Sequence, residues 1–481
     1  MNPYNLIRYP SRAKEHTHPD RLATIATLHG LEPAPVERCR VLELGCGTGA
    51  NLIPMAYTLP ESRFTGVDAA TSPIEGGSAR AAALGLRNVR LVAADIMDIG
   101  ADLGEFDYIV AHGVYSWVAE PVRDKLVSIC ATNLAPGGVA YISYNAMPGC
   151  HLRRMVRDIL LYHTAHIADP EERIAQALSL ASLLAEAQPE GSLRTEFQTL
   201  LERSAPVVFH DDLAEVNHPV YFHEFIAHAA RHGLQFLSEA SLVSSEGRLP
   251  EPALAALQQF EGDVIRREQY LDFLKLRRFR QTLLVHAGAA VARPARMDRV
   301  RVLWAASKAE AAAATDGPAG AVEFRGEKGA AAKTVHPLAK AALAALGSAW
   351  PRRLAFGELL EGACAATGTQ PAGQEGALAE ILWHTTRCGL VELHAHAGMF
   401  TGRASERPVA SEVARLDLRE GTQAATLTHG IVEIDDDTGR RLVGLLDGTR
   451  DLETLAAELG VGVAAVESSL ARLARLPLLV A

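Results

Sequence analysis

One stretch constrains this chain more than any other. Val41-Leu42-Glu43-Leu44 is an apolar run carrying a single acid, and it passes directly into Gly45-Cys46-Gly47-Thr48-Gly49 and then into the helix-like run from Asn51. Glycine at alternate positions permits a tight strand-to-helix turn and lets backbone approach a ligand. The spacing differs from the Gly-x-Gly-x-x-Gly dinucleotide fingerprint, and no Lys-Ser/Thr pair follows, so a phosphate-cradling loop and nucleotide hydrolysis are disfavoured.

The surrounding text fits the same geometry. From Cys39 to Asn145, β-rich runs at Val41–Leu44, Phe64–Asp68, Val89–Ala93, Phe106–Ala111 and Gly138–Tyr144 alternate with helical patterns near Asn51–Tyr57, Pro73–Leu84 and Val118–Asn133. Such alternation predicts an α/β, Rossmann-like, doubly wound parallel sheet whose ligand sits at the carboxyl ends of the strands. After Gly149 the pattern turns helical, over His151–Ala168 and Pro170–Ala187. Leu234–Leu237 and Gln281–His286 read as strands that complete a seven-stranded sheet. Three regions are expected: a ligand-binding core over 1–150, a helical lid or regulatory region over 151–290 that completes the sheet, and a mainly helical, winged-helix-like domain over 291–481. Ala311–Gly320 reads as a loop near the linker.

A chain of 481 residues and 51.5 kDa accommodates two or three such domains. Its formal charge of -10 disfavours a nucleic-acid partner, because phosphate contacts need clustered Lys and Arg. The basic run Lys275–Arg280 stands alone and reads as a solvated face or a contact with the C-terminal domain. Six cysteines without a Cys-x-x-Cys pair read as reduced thiols, and no run reaches the ~18 apolar residues of a membrane span, so a cytoplasmic protein without membrane insertion is expected.

Asp68 closes the second strand 19 positions after Gly49, near the offset at which an acid accepts hydrogen bonds from ribose hydroxyls. Asp95, ending the third strand, would meet an adenine amine, and Ile96 supplies an apolar face. Glu43 lies beneath the glycine loop, where its charge suits an ammonium and opposes a pyrophosphate. Together these features select S-adenosyl-L-methionine. The candidate cofactor residues are Glu43, Gly45, Cys46, Gly47, Gly49, Asn51, Asp68, Ala69, Asp95, Ile96 and His112.

Five segments carry a resemblance: Thr17–Ala23, Leu42–Ala56, His112–Val118, Tyr141–Asn145 and His210–Phe222. They resemble the bacterial class I methyltransferases with a methyltransferase regulatory domain, over about residues 1–290. The closest functional group within that resemblance is the protein-lysine methyltransferases that modify an outer-membrane protein and carry a C-terminal winged helix. The resemblance implies transfer of methyl groups from S-adenosylmethionine to lysine side chains of a protein, with a homodimer left open. The sequence departs from the family at Val67-Asp68-Ala69-Ala70, where relatives place Leu-Ser after the acid.

A free lysine, with a pKa of ~10.4, must lose its proton before it can attack. His112, Tyr115, Trp117, Tyr144 and Asn145 follow the fourth and fifth strands and are the candidate catalytic residues. Tyr144 and Asn145 are expected to orient the amine, and Tyr115 and Trp117 to wall an alkyl-ammonium, unless those two rings simply pack the loop. His228 and His232 have a metal-binding spacing, but no Glu accompanies them; a solvated helix face or channel lining is the stronger reading, and no metal is expected. Two other functions stay open, namely methylation of a small molecule or of another side chain, and non-catalytic cofactor sensing.

Overall fold

The computed structural model describes residues 3–244, 249–313 and 320–480. Seven strands form one sheet: β1 (Arg40–Leu44), β2 (Arg63–Asp68), β3 (Val89–Ala93), β4 (Phe106–Ala111), β5 (Leu134–Asn145), β6 (Leu234–Glu239) and β7 (Phe279–His286). Their spatial order is β3-β2-β1-β4-β5-β7-β6. β1 to β5 run parallel, and β7 lies antiparallel between β5 and β6. The expected class I methyltransferase sheet is present, with its last two strands supplied from beyond residue 230. β5 begins earlier than its sequence pattern suggested, because Leu134 pairs with Phe106 ahead of a register shift that the Pro136-Gly137-Gly138 segment absorbs.

Period-two alternation divides the sheet into two cores. Val41, Tyr108, Val110, Val139, Tyr141 and Leu283 pack against α1 (Pro19–Leu28) and α2 (Leu52–Thr58). Leu42, Leu44, Ile109, Ala140, Ile142 and Tyr144 face α4 (Glu120–Thr132), while α3 (Thr71–Ala83) links β2 to β3. The helical insertion comprises α5 (His151–Thr164), α6 (Pro170–Ala187) and α7 (Ser192–Leu201), closed around Val156, Leu160, Ala177, Phe197 and Leu200. α8 (Phe222–Arg231) covers the α4 face through Phe222, Phe225 and Ala229, and α9 (Val264–Lys275) leads into β7.

The basic run is only in part the expected solvated face: Arg278 is about half exposed, whereas the other arginines turn into the fold. Arg280 is wholly buried and paired with Asp272, Glu239 and Glu268; Arg277 pairs with Asp272, and Arg278 with Glu196. Acids on β6, α7 and α9 therefore neutralise it from within the fold.

Beyond residue 291 the chain packs around two hydrophobic cores. In the first, the strand Trp304–Ala306 lies between Leu354–Ala355 and Glu392–His394, under helices Pro337–Ala349, Phe356–Thr367 and Glu375–Arg387. The second, built on Ala410, Leu442, Leu455, Leu470 and Leu479, contains the hairpin Gln423–Ala425/Ile431–Glu433. Ala311–Ala313 belong to a strand, Glu310–Ala313, rather than the expected loop; residues 314–319 lie outside the described residues. Among the described residues no single helix is long and apolar enough to cross a membrane, and all six cysteines are free.

Candidate active site

The turn after β1 folds as its glycines require. Gly45 has φ +74, and a Cβ there would lie 2.4 Å from the Val114 methyl. The two oxygens of Asp68 accept the backbone N–H groups of Gly47 and Ala70, each at 2.8 Å, which fixes the carboxylate at the end of β2. A cavity of about 840 Å³ opens at this carboxyl edge. Of the sequence-selected cofactor residues, Glu43, Gly45, Cys46, Gly47, Asn51, Asp68, Ala69, Asp95, Ile96 and His112 line it. Gly49 does not; it sits against Leu91, where a Cβ would be 2.8 Å from the nearest methyl carbon, so its task is close packing of the turn on β3.

Asn51 is the hub beneath the turn. Its Nδ2 donates to Glu43 Oε1 at 2.8 Å and to Thr17 Oγ1 at 2.9 Å, while its Oδ1 accepts the Lys14 backbone N–H at 2.9 Å. Asn51 Oδ1 also accepts from Nε2 of His429, a residue of the C-terminal unit, at 2.9 Å. Glu43 Oε2 is buried with no hydrogen-bond partner among the described residues. Burial raises the Glu43 carboxyl to about 8, against the stabilising bond from Asn51, so the acid carries its proton at neutral pH.

At the other end, His112 stacks near Tyr141 and shares a 2.9 Å hydrogen bond with its hydroxyl; burial, with Lys14 and His16 nearby, lowers its pKa to about 3 and keeps the ring neutral. Asn145 lines the cavity, its backbone N–H donated to Ser116 Oγ at 2.8 Å and its side-chain Nδ2 buried without a partner. Trp117 also lines the cavity, but Arg153 and Arg157 lie 5.9 and 5.7 Å from its ring centre, so cations of the chain itself already use that ring.

Tyr115 and Tyr144 are placed elsewhere. Neither is in the cavity wall. Tyr144 stacks on Phe225 at 4.2 Å and bonds Thr282 Oγ1 at 3.1 Å. Tyr115 packs edge-on against Phe225, and its hydroxyl meets His228 Nδ1 at 2.8 Å. Both belong to the core between the sheet and α8. The packing alternative fits Tyr115, and the expected amine-orienting role does not fit Tyr144.

Sequence reasoning missed the far wall. Tyr4, Tyr9, Lys14, Arg153, Arg203, Asp211 and Phe279 are among the further residues that line the cavity. Tyr4 stacks on His210 at 4.3 Å, Tyr9 meets the same ring edge-on at 5.6 Å, and the His210 Nε2 bonds the Ile7 carbonyl oxygen at 2.7 Å, so the N-terminal segment is clamped over the opening. Burial, and then Asp211, raise the Tyr9 hydroxyl pKa, and burial raises that of Asp211 itself despite Arg153. The His210-Asp211-Asp212 motif was the available signal, but nothing in it named Tyr4 and Tyr9 as partners.

The geometry agrees with comparisons to known proteins. Residues 41–138 match a family described as a methyltransferase domain, 204–286 a predicted methyltransferase regulatory domain, and 406–475 the PKMT C-terminal winged helix domain. An uncharacterized protein of Rickettsia prowazekii (strain Madrid E) is 38% identical over 307 residues, which is 62% of this chain and 55% of that protein, so the chain spans about half the length of that relative. A second from the same organism is 35% identical over 240 residues, covering 49% of this chain and 96% of its own length. The structure of PKMT2 from Rickettsia typhi in complex with AdoHcy superposes with a TM-score of 0.88 at 25% identity, covering 98% of this chain and 100% of that one. With the seven-stranded sheet, the glycine turn and both accessory domains in place, the chain belongs to the class I S-adenosylmethionine-dependent methyltransferases that carry a methyltransferase regulatory domain and a PKMT winged helix.

Proposed function

We propose that this chain is a cytoplasmic methyltransferase that uses S-adenosylmethionine to methylate lysine side chains of a protein, with an outer-membrane protein as the favoured class of substrate. The observation that carries the reading is one cavity lined by two buried, unpartnered polar atoms, Glu43 Oε2 and Asn145 Nδ2. Buried polar groups without partners are rare unless a ligand completes them.

The residues present fit the cofactor. Asp68 would hold its ribose, Asp95 and Ile96 its adenine, and Glu43 with the Gly45–Gly47 backbone its amino-acid end. Bound S-adenosylmethionine supplies a methyl group on a sulfonium, an already activated leaving group. What the chain must add is alignment and a dry, deprotonated amine. The Asn145 amide would orient the incoming nitrogen. The Asp211 carboxylate, beside Tyr9, would draw a cationic lysine into the chamber and take up its proton, and the clamp of Tyr4 and Tyr9 on His210 would exclude water. The resemblance of the last domain to the PKMT winged helix, and the likeness to a protein named PKMT2, favour a protein acceptor.

Incubating the pure chain with methyl-labelled cofactor and cell-envelope protein tests this reading. Label on lysine is expected. Label confined to small molecules, or cofactor binding without any transfer, would refute it.

A further inference from the structure

We propose that Asp124, His228 and His232 form a zinc-binding site that pins α8 to α4. His228 lies in the last turn of α8 and His232 is its C-terminal cap, four positions on, so both rings project from one side of the helix. The third ligand, absent from the sequence pattern, comes from α4. Asp124 Oδ1 is 3.1 Å from His228 Nε2 and 2.8 Å from His232 Nε2, and the three donor atoms all lie within 4.8 Å of one another. Zinc bonds imidazole nitrogen and carboxylate oxygen at about 2.0–2.2 Å. Three donors converging this closely surround a point that such an ion can occupy after shifts of a few tenths of an ångström.

Two further features favour a metal. The second ring nitrogen of His228 meets the Tyr115 hydroxyl at 2.8 Å; an outer partner of this kind fixes which nitrogen faces a metal. The Asp124 side chain is 55% exposed, which leaves the ion a way in and room for water as a fourth ligand. The other cluster of this composition, His18, Asp20 and His396, has ring nitrogens held by backbone N–H groups but lacks the open carboxylate. There Asp20 is buried and its oxygens are taken by Arg353, His394 and the Ala395 N–H. The Arg353 guanidinium occupies the charge that a cation would need.

Bound zinc would brace the regulatory region on the sheet domain. Through His228 and Tyr115 it would hold the turn that carries Trp117 into the cavity wall. The site does not depend on the identity of the methyl acceptor.

The test uses the full-length protein, freed of metal by dialysis against a chelator. Titration with Zn²⁺ should find one equivalent bound, and Co²⁺ in its place should give the visible absorption of a four-coordinate ion. His232→Ala and Asp124→Asn, both near the surface, should each weaken binding by more than about 100-fold. Zn²⁺ should raise the melting temperature of the wild type and of neither variant, with circular dichroism confirming that both variants are folded. No stoichiometric binding, or binding that both variants retain unchanged, would overturn the proposal.

Discussion

His429 Nε2 lies 2.9 Å from Asn51 Oδ1, joining two residues 378 positions apart. His429 sits in the turn of the C-terminal hairpin with φ +65, a left-handed conformation that costs a non-glycine residue of order 1 kcal/mol or more. It is buried, and burial lowers its pKa to about 3, so the ring is a neutral donor. Asn51 passes this restraint to Glu43. The C-terminal unit thereby props the floor of the cavity. The His429→Ala variant should lose a net hydrogen bond of about 0.5–1.5 kcal/mol, weakening S-adenosylhomocysteine binding by about 3- to 10-fold in calorimetry. Unchanged affinity would remove His429 from the support of the site.

Asp68 already accepts two backbone N–H groups, which hold its carboxylate facing the cavity. Hydrogen bonds to a charged acceptor are worth about 1.5–3 kcal/mol each, and Asp68→Ala removes both the proposed ribose partner and the brace on Gly47. Cofactor binding should fall by more than about 100-fold in the same assay, and wild-type affinity would refute the ribose role.

The parts of the site written locally were legible. The glycine turn, Glu43 and Asp68 lie within one β-α-β unit, where strand, turn and acid offset are set by short-range geometry. Contacts closed by the tertiary fold were not. Tyr4 and Tyr9 meet His210 across about 200 residues, and Asp124 reaches His228 across 104. Lys275–Arg280 read as a basic patch because Glu239, Glu268 and Glu196 are scattered in sequence and gathered only by folding. The side of the sheet on which Tyr144 lies follows from strand alternation alone. Neighbouring strand residues face opposite sides, so Tyr144 and Asn145 could not share a wall.

That alternation separates two variants. Tyr144→Phe removes only the bond to Thr282 in the core. It should lower stability by about 1 kcal/mol and leave the transfer rate within about twofold. Asn145→Ala takes away the unpartnered amide in the cavity wall and should reduce kcat about tenfold or more with little change in cofactor affinity. The reverse ranking of rates would return Tyr144 to the mechanism.

The proton on Glu43 gives a pH signature. Its ordinary value is 4.5, and burial raises it to about 8 in the ligand-free fold, with Asn51 opposing the shift. The folded chain therefore binds this proton more tightly than the unfolded one, and the group's contribution to stability falls as pH rises from about 4.5 to 8. An ammonium brought to Oε2 favours the ionised acid, so cofactor binding must expel the proton below pH 8. Calorimetry at pH 7 in two buffers of different ionisation enthalpy should show release of close to one proton. Affinity should climb about tenfold per unit up to pH 8 and then level off. Glu43→Gln keeps the oxygen that Asn51 bonds and removes the titration. Proton release that persists in this variant, or a flat pH profile in the wild type, would place the ammonium elsewhere.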